Sequence, residues 1–219
     1  MSLHAFSELA LATYCPRKLY YQQQHGWDPP DVSDRRALAF RYPELVDADD
    51  ATLSALPIDL PPATYRERLA TARDRVDEWS SLADPDRRDV LLTGREARGI
   101  AHKVIDGDPP IPSLVFTGTP PDEGVWTSQT VRVVAAAKAL AWECQREVPR
   151  AYVEYPTHGV IRPVRLTTRR KAAYRKAVRA VESLDGPPPR LRNRAKCDPC
   201  EYADECGVRT RSLRSLLGL

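Results

Sequence analysis

The chain has 219 residues and a formal net charge of +3, from 33 basic and 30 acidic side chains. This length suits one domain, and with 42% hydrophobic residues the chain can bury a core. No apolar run approaches the roughly 20 residues of a membrane span, and the N-terminus lacks an apolar secretory core. The composition thus argues against a membrane protein, a secreted disulfide framework and a disordered chain, and we expect a cytoplasmic protein.

The predicted elements of the N-terminal half are helical. An amphipathic helix is expected over 3–24, interrupted at Cys15-Pro16 because proline lacks the amide proton that a helix interior uses. Residues 28–62 are rich in Asp and Pro, which predicts an irregular segment with one short helix. A further helix is expected over 63–82, after Pro61-Pro62.

The C-terminal half combines strands with two long helices. Strands are predicted at 89–93, 97–105, 111–117, 150–155 and 159–166, with hairpin turns at Thr93-Gly94 and Pro156–Gly159. Helices are predicted at 127–147 and 168–184, and the first has so many apolar positions, Trp142 among them, that it should be well buried. This order predicts an α/β or α+β fold with a mixed central sheet flanked by helices.

The charge is distributed unevenly along the chain. Residues 1–149 carry 17 basic and 23 acidic side chains, whereas residues 150–219 carry 16 basic and 7 acidic ones. The C-terminal third therefore has a net charge of +9, behind a body of net charge −6. Such asymmetry is typical of proteins with an anionic partner, and an arginine-rich solvated surface gives the same pattern.

Three of the five cysteines lie close together near the C-terminus. Cys197, Cys200 and Cys206 follow a Cys-x2-Cys-x5-Cys pattern, so their thiols can surround one point that lacks a fourth ligand. Cys15 is the candidate for that ligand, while Cys144 lies in the apolar helix and is expected to be a core residue. Thiolates suit tetrahedral zinc or an iron–sulfur cluster, and the spacing does not choose between them.

The segment Tyr14-Cys15-Pro16-Arg17-Lys18-Leu19-Tyr20-Tyr21, combined with the C-terminal cysteine pattern, resembles the CRISPR-associated Cas-four exonucleases and their RecB-like relatives. The resemblance extends over nearly the whole chain. It implies one PD-(D/E)xK restriction-endonuclease-like domain over 1–219, with the first cluster cysteine in 1–24 and a Cys-rich cluster loop and terminal helix in 190–219. It also implies that Cys15, Cys197, Cys200 and Cys206 hold a four-iron four-sulfur (4Fe-4S) cluster, with zinc as the alternative.

The same resemblance implies a role in CRISPR adaptation, and thus antiviral defence, or in DNA repair. The implied partners are DNA, expected to be single-stranded, and the proteins of those processes. Candidate contacts to DNA phosphates lie on the basic helix 168–184, where Tyr174 could either stack on bases or belong to the core. The basic candidates are Arg169, Arg170, Lys171, Arg175 and Arg179, with Arg162 and the run Arg190–Lys196 on either side.

A nuclease of this family needs an Asp and a Glu/Asp-x-Lys motif on adjacent strands, where they hold Mg²⁺ or Mn²⁺ and orient the attacking water. No lysine of this chain follows an acidic residue by two positions, so the second motif is absent. The resemblance places His102 at the aspartate position, and Leu114 and Phe116 at the Glu and Lys positions. Because one imidazole does not replace two oxygen donors for Mg²⁺, we predict a pseudoenzyme that binds DNA or partner proteins, with His102 as the remaining catalytic candidate.

Two other hypotheses stay open. An active exonuclease using Mg²⁺ or Mn²⁺ would need another register or another metal site, for which His102 with Asp106 and Asp108 is one arrangement. The Gln-x3-Tyr motif of the family aligns with Arg132 and Ala136, or with Gln129 under a shifted register. The second hypothesis, from a different class, is a zinc-stapled interaction module without any role in nucleic-acid binding.

Overall fold

The computed structural model describes residues 3–207, in which helices flank a mixed sheet of six strands. The strands are β1 (His4–Ala5), β2 (Arg87–Thr93), β3 (Ala97–Ile105), β4 (Ile111–Val115), β5 (Arg150–Tyr155) and β6 (Val160–Arg165). The helices are α1 (Phe6–Tyr14), α2 (Pro16–His25), α3 (Ser33–Ala37), α4 (Tyr42–Leu45), α5 (Asp50–Ser54), α6 (Pro62–Arg75), α7 (Trp79–Ala83), α8 (Thr127–Cys144), α9 (Thr168–Glu182) and α10 (Arg194–Cys197). Two 3-10 helices, Leu38–Phe40 and Pro156–His158, complete the set. The predicted mixed sheet with flanking helices is confirmed.

The sheet has the strand order β1–β3–β4–β5–β6, and β2 pairs with the opposite edge of β3. The two predicted hairpins are present, because β2 and β3 pair antiparallel, as do β5 and β6. Strands β4 and β5 are parallel, and α8 makes the crossover between them. The C-terminal ends of β4 and β5 therefore meet at one edge of the sheet, where Phe116 donates its backbone N–H to the Glu154 carbonyl.

Each face of the sheet has its own apolar core. Helices α1, α8 and α9 cover one face, and the alanines at 135–137 of α8 bring that helix close to the strands. The opposite face packs against the segment from Leu38 to Ala83, which supplies the buried Tyr42, Leu53 and Tyr65. The long crossover helix is thus buried by the sheet below it and by α1 and α9 beside it.

The outer strands of the sheet both have an interruption. Pro163 stands in β6, which within residues 3–207 pairs with β5 alone, and proline has no N–H to donate. In β2, Asp89 has a φ of 47°, and the recorded pairing to β3 passes from Arg88 to Val90. Neither edge is therefore a continuous row of free backbone donors and acceptors.

Several element boundaries differ from the sequence-based expectations. The break at Cys15-Pro16 is confirmed, since α1 ends at Tyr14 and α2 begins at Pro16. The segment 28–62, predicted to contain one short helix, contains α3, α4, α5 and a 3-10 helix. The helix predicted over 63–82 is two helices, because the chain is extended at Val76 after α6 and turns into α7 at Trp79.

Two aromatic residues of the long helices, Trp142 and Tyr174, differ in burial. Trp142 was expected to be buried with the rest of α8, but 52% of its surface is exposed, so this residue lies on the solvent side of the helix. Tyr174 is 2% exposed and belongs to the core, which removes the base-stacking alternative. The predicted terminal helix beyond residue 207 lies outside the described residues. No helix between residues 3 and 207 has the length and apolar character needed to cross a membrane.

Candidate metal centre and nuclease-motif positions

Cys15 is held at the junction of the first two helices. Its backbone N–H donates to the Leu11 carbonyl at 2.7 Å, which ends α1, and its own carbonyl accepts from the Leu19 N–H at 3.2 Å, which begins α2. Pro16 occupies the first turn of α2, where its missing N–H costs nothing. The side chain of Cys15 therefore stands at a helix N-terminus, where backbone N–H groups of Arg17 and Lys18 reach its sulfur.

The other three cysteines lie on successive tight turns. The short helix α10 ends at Cys197, whose carbonyl accepts from the Cys200 N–H at 3.1 Å. The Cys200 carbonyl accepts in turn from the Ala203 N–H at 3.1 Å, and the Cys206 N–H donates to the Tyr202 carbonyl at 2.8 Å. This winding brings the three thiols to one side of the loop.

All four predicted ligands line one cavity between α2 and the C-terminal loop. The thiols of Cys15, Cys197, Cys200 and Cys206 share its wall with Tyr14, Arg17, Lys18, Tyr21, Leu191, Lys196, Tyr202 and Ala203. No carboxylate or imidazole belongs to this wall among the described residues, so sulfur is the only strong ligand type offered. Three cationic side chains accompany the four thiols, which suits a centre that carries net negative charge.

Direct contacts join the C-terminal loop to the first two helices. Lys196 donates to the Tyr14 carbonyl at 3.2 Å, and Lys18 pairs with Glu201 at 2.8 Å. The rings of Tyr21 and Tyr202 stack with their centroids 5.6 Å apart. These contacts bridge more than 180 residues of sequence, so the relative position of the four thiols does not depend on the thiols alone.

The thiols surround the cavity without forming a compact ion site. Within residues 3–207, no three His, Cys, Asp or Glu side chains are arranged to hold a metal ion, and the five cysteines are free thiols. Burial raises the pKa of Cys15, its hydrogen bonds from Lys18 and Arg17 lower that pKa in part, and the nearby Cys200 and Cys206 raise it again. Cys144 lies elsewhere, partly buried at the end of α8, in agreement with its expected place in the core.

His102 takes part in the pairing of β3 with β4. The backbone pairing of β3 with β4 covers Lys103 to Ile105 of β3. The next backbone N–H of β4 therefore needs another acceptor. The Val115 N–H donates to His102 Nδ1 at 2.9 Å, and the ring is 2% exposed. Because Nδ1 accepts, the ring proton lies on Nε2, and burial lowers the pKa of His102 to about 3, helped by Arg132, Arg36 and Lys103. His102 is a neutral imidazole with a structural hydrogen bond.

The other positions that the resemblance aligns with the nuclease motif carry no metal ligand. Leu114 is fully buried in the core beneath α8, and Phe116 packs at the edge of that core. Asp106 and Asp108, the other candidates for a site with His102, have 59% and 75% of their side chains exposed and lie near Arg87 and Arg146 respectively. The arrangement of His102 with Asp106 and Asp108 is therefore not formed.

The crossover helix contributes three side chains to the same end of the sheet. Gln129 accepts a hydrogen bond from the Tyr155 hydroxyl, and the guanidinium of Arg132 lies 5.5 Å from the centre of the Phe116 ring. Ala136, the other aligned position, is fully buried. Of the two alternatives for the aligned glutamine, Gln129 thus contacts the C-terminal end of β5, and Arg132 contacts Phe116 just after β4.

A buried ion pair that the sequence patterns did not predict lies on the opposite face of β3. Lys103 Nζ lies 2.7 Å from Glu154 Oε2, with both side chains fully buried, and it also donates to the carbonyls of Ala39 at 2.6 Å and Leu82 at 2.8 Å. Ser113 donates to the other Glu154 oxygen at 2.5 Å. Burial lowers the pKa of Lys103, and Glu154 acts against that shift. The available signal was a lysine and a glutamate in otherwise apolar strands.

The predicted DNA-contacting residues of α9 are mostly on its solvent side. Arg169, Arg175 and Arg179 are exposed and have no ion-pair partner within residues 3–207, whereas Arg170 donates to the Arg165 carbonyl and Lys171 pairs with Glu147. Arg162, on β6, is used internally. Its guanidinium donates to the carbonyls of Pro121, Asp122 and Gly124, which fixes the loop before α8.

No protein-family model matches the chain, and no curated protein matches it.

Proposed function

We propose that this protein is an iron–sulfur member of the Cas-four and RecB-like nuclease group that binds DNA without cutting it. The observation that carries the proposal is the common cavity lined by Cys15 and by Cys197, Cys200 and Cys206, from opposite ends of the chain. A chain with incidental thiols has no reason to bring these four together. Four soft sulfur donors suit an iron–sulfur cluster, which would supply a cross-link between α2 and the C-terminal loop.

The absence of cutting follows from the side chains at the nuclease-motif positions. Support comes from the sheet, in which β3, β4, the crossover helix α8 and β5 meet at one end. The positions there are filled by His102, Leu114 and Phe116, which supply no carboxylate for Mg²⁺ or Mn²⁺. A chain that resembles the PD-(D/E)xK nucleases but lacks these ligands would serve as a cytoplasmic DNA-binding partner in CRISPR adaptation or repair.

Metal analysis of anaerobically purified protein tests the cofactor. We expect about four irons and four sulfides per chain, with loss of both in Cys15→Ser and retention in the matched control Cys144→Ser. Zinc in place of iron would instead favour the zinc-stapled interaction module. Iron retained in Cys15→Ser would contradict the ligand set.

A cleavage assay tests the second part of the proposal. We expect no degradation of single-stranded DNA with Mg²⁺ or Mn²⁺, while the DNA stays bound in a salt-dependent manner. Cleavage by the wild type that is lost in His102→Ala would instead make the protein an active exonuclease with a non-standard site.

A further inference from the structure

Near the end of the sheet where β4 and β5 terminate, Arg36 and Arg132 lack a counter-charge such as the one that Glu154 gives to the buried Lys103. Arg132, on α8, is partly buried, and its Nε is fully shielded from solvent without a hydrogen-bond partner. Neither its guanidinium nor that of Arg36, on α3, makes a hydrogen bond or an ion pair within residues 3–207. Leaving the shielded Nε of Arg132 unpaired is costly, so its retention calls for a ligand.

The geometry brings the two arginines to the same place. Arg35, the neighbour of Arg36, donates to the Thr117 carbonyl at 3.2 Å, which fixes α3 against the chain just after β4. Phe116, the residue before Thr117, lies beneath the Arg132 guanidinium. Arg36 is close enough to Arg132 to lower its pKa further, after burial, and both arginines lower the pKa of His102.

The carboxylates of this neighbourhood are already used or lie at its margin. Asp59 pairs with Arg35, and it also lies 3.7 Å from His158. Asp31 is exposed, and the positive charge of Arg36 lowers the pKa of its carboxyl. This charge is the smallest of the influences on that pKa. Glu154, adjacent to Tyr155, pairs with Lys103 and accepts a hydrogen bond from Ser113 on the other face of the sheet. The site is therefore cationic, with a neutral imidazole whose Nε2–H has no partner among the described residues.

We propose that Arg36, Arg132 and the Nε2–H of His102 form a metal-independent binding site for a phosphate group, at the position where a nuclease of this fold would hold its metal ions. Guanidinium groups offer paired N–H donors in a planar arrangement that fits phosphate oxygens. The Phe116 ring lies against one side of the Arg132 guanidinium and helps to orient it. The inference rests on the proposed function in taking the backbone of single-stranded DNA as the source of the phosphate, with free phosphate as the other source.

The test measures binding of a labelled single-stranded oligonucleotide in EDTA over a series of salt concentrations. We expect wild-type binding without divalent metal, and a loss of about 10-fold in affinity in both Arg36→Gln and Arg132→Met. Each variant should also reduce the salt slope by about 0.7, the value for one contact to a single-strand phosphate. Arg73→Gln removes an exposed arginine of α6 that pairs with Asp74, and it should bind like the wild type.

A second measurement uses inorganic phosphate as the probe and follows the melting temperature against chloride at equal ionic strength. We expect phosphate to raise the melting temperature of the wild type and of Arg73→Gln, but not of Arg36→Gln or Arg132→Met. Phosphate binding without oligonucleotide binding would support the site and assign it to free phosphate. Arg36→Gln removes a side chain from a surface helix, so it reports on the site even where Arg132→Met fails to fold.

Two results would overturn the inference. The first is that Arg36→Gln and Arg132→Met both bind the oligonucleotide, or both bind phosphate, as tightly as the wild type does. The second is that the wild type binds neither the oligonucleotide nor phosphate. The proposed function has readouts of its own, namely zinc instead of iron and cleavage of DNA, and a wild type that binds phosphate but no oligonucleotide contradicts its DNA-binding part while leaving the phosphate site standing. The two failures can therefore be told apart on the same preparation.

Discussion

The two faces of β3 differ in whether the positive charge beside them is paired. Lys103 is fully buried, yet each of its three N–H groups has an acceptor, one of them the carboxylate of Glu154. On the other face, the partly buried Arg132 has no acceptor within the described residues, and the neighbouring His102 is neutral. A buried cation with a complete set of partners is a structural group, whereas one without partners indicates a binding site.

The strongest way to break this comparison is to remove the counter-charge of Lys103. Glu154→Gln leaves the ammonium buried beside a neutral amide, and we expect a loss of about 3–5 kcal/mol in the free energy of unfolding, measured with urea. The double variant Lys103→Met with Glu154→Leu should cost less than the single variant, because it removes both charges together. A single-variant loss below about 1 kcal/mol would show that the pair is not a structural group.

The neutral state of His102 predicts a dependence of stability on pH. The folded-state pKa of about 3 lies below the usual value near 6.5, so the unfolded chain binds more protons between these two values. Stability should therefore be full above pH 7 and fall as the pH decreases, by about 2 kcal/mol at pH 5. His102→Asn keeps an acceptor for the Val115 N–H without titrating, so its unfolding free energy should change less over this range. An equal change in both proteins would assign the dependence to other groups.

The smallest expected effect concerns the exposed arginines of α9, which sharpen the contrast with the partly buried ones. Arg175→Gln with Arg179→Gln should change the unfolding free energy by less than about 0.5 kcal/mol, because both side chains are solvated. In single-stranded DNA binding, each lost phosphate contact should reduce the salt slope by about 0.7. An unchanged slope would remove α9 from the DNA-binding surface and leave Arg36 and Arg132 as the contacts to test.

Local signals in the sequence predicted the parts of the fold that local chemistry controls. Proline after Cys15 separates α1 from α2, and glycine after Thr93 allows a turn that brings the chain within contact of Ala139 on α8. A side chain at Gly94 would meet the Ala139 backbone at 2.9 Å, so the turn and its packing require the same residue.

Long-range partners explain what the sequence did not reveal. The short helices of 28–62 are held by buried side chains such as Leu38, Tyr42 and Leu53, which pack against residues far along the chain. Glu154 and Lys103 are 51 residues apart, and the sequence near each of them gives no local signal of the pairing. The burial predicted for Trp142 is wrong because α8 has alanine on several sides, so the composition of the helix does not define one buried face. The spacing of Cys197, Cys200 and Cys206 predicted that they lie together, and Cys15 lines the same cavity, while their role as metal ligands stays a prediction.

The interrupted outer strands have a consequence for how copies of this protein meet one another. An uninterrupted edge strand is a template on which a second chain can continue the sheet, which is the first step of ordered aggregation. Pro163 deprives β6 of a donor, and Asp89 turns the backbone of β2 out of the extended conformation. Newly made chains at high concentration are thus discouraged from joining edge to edge.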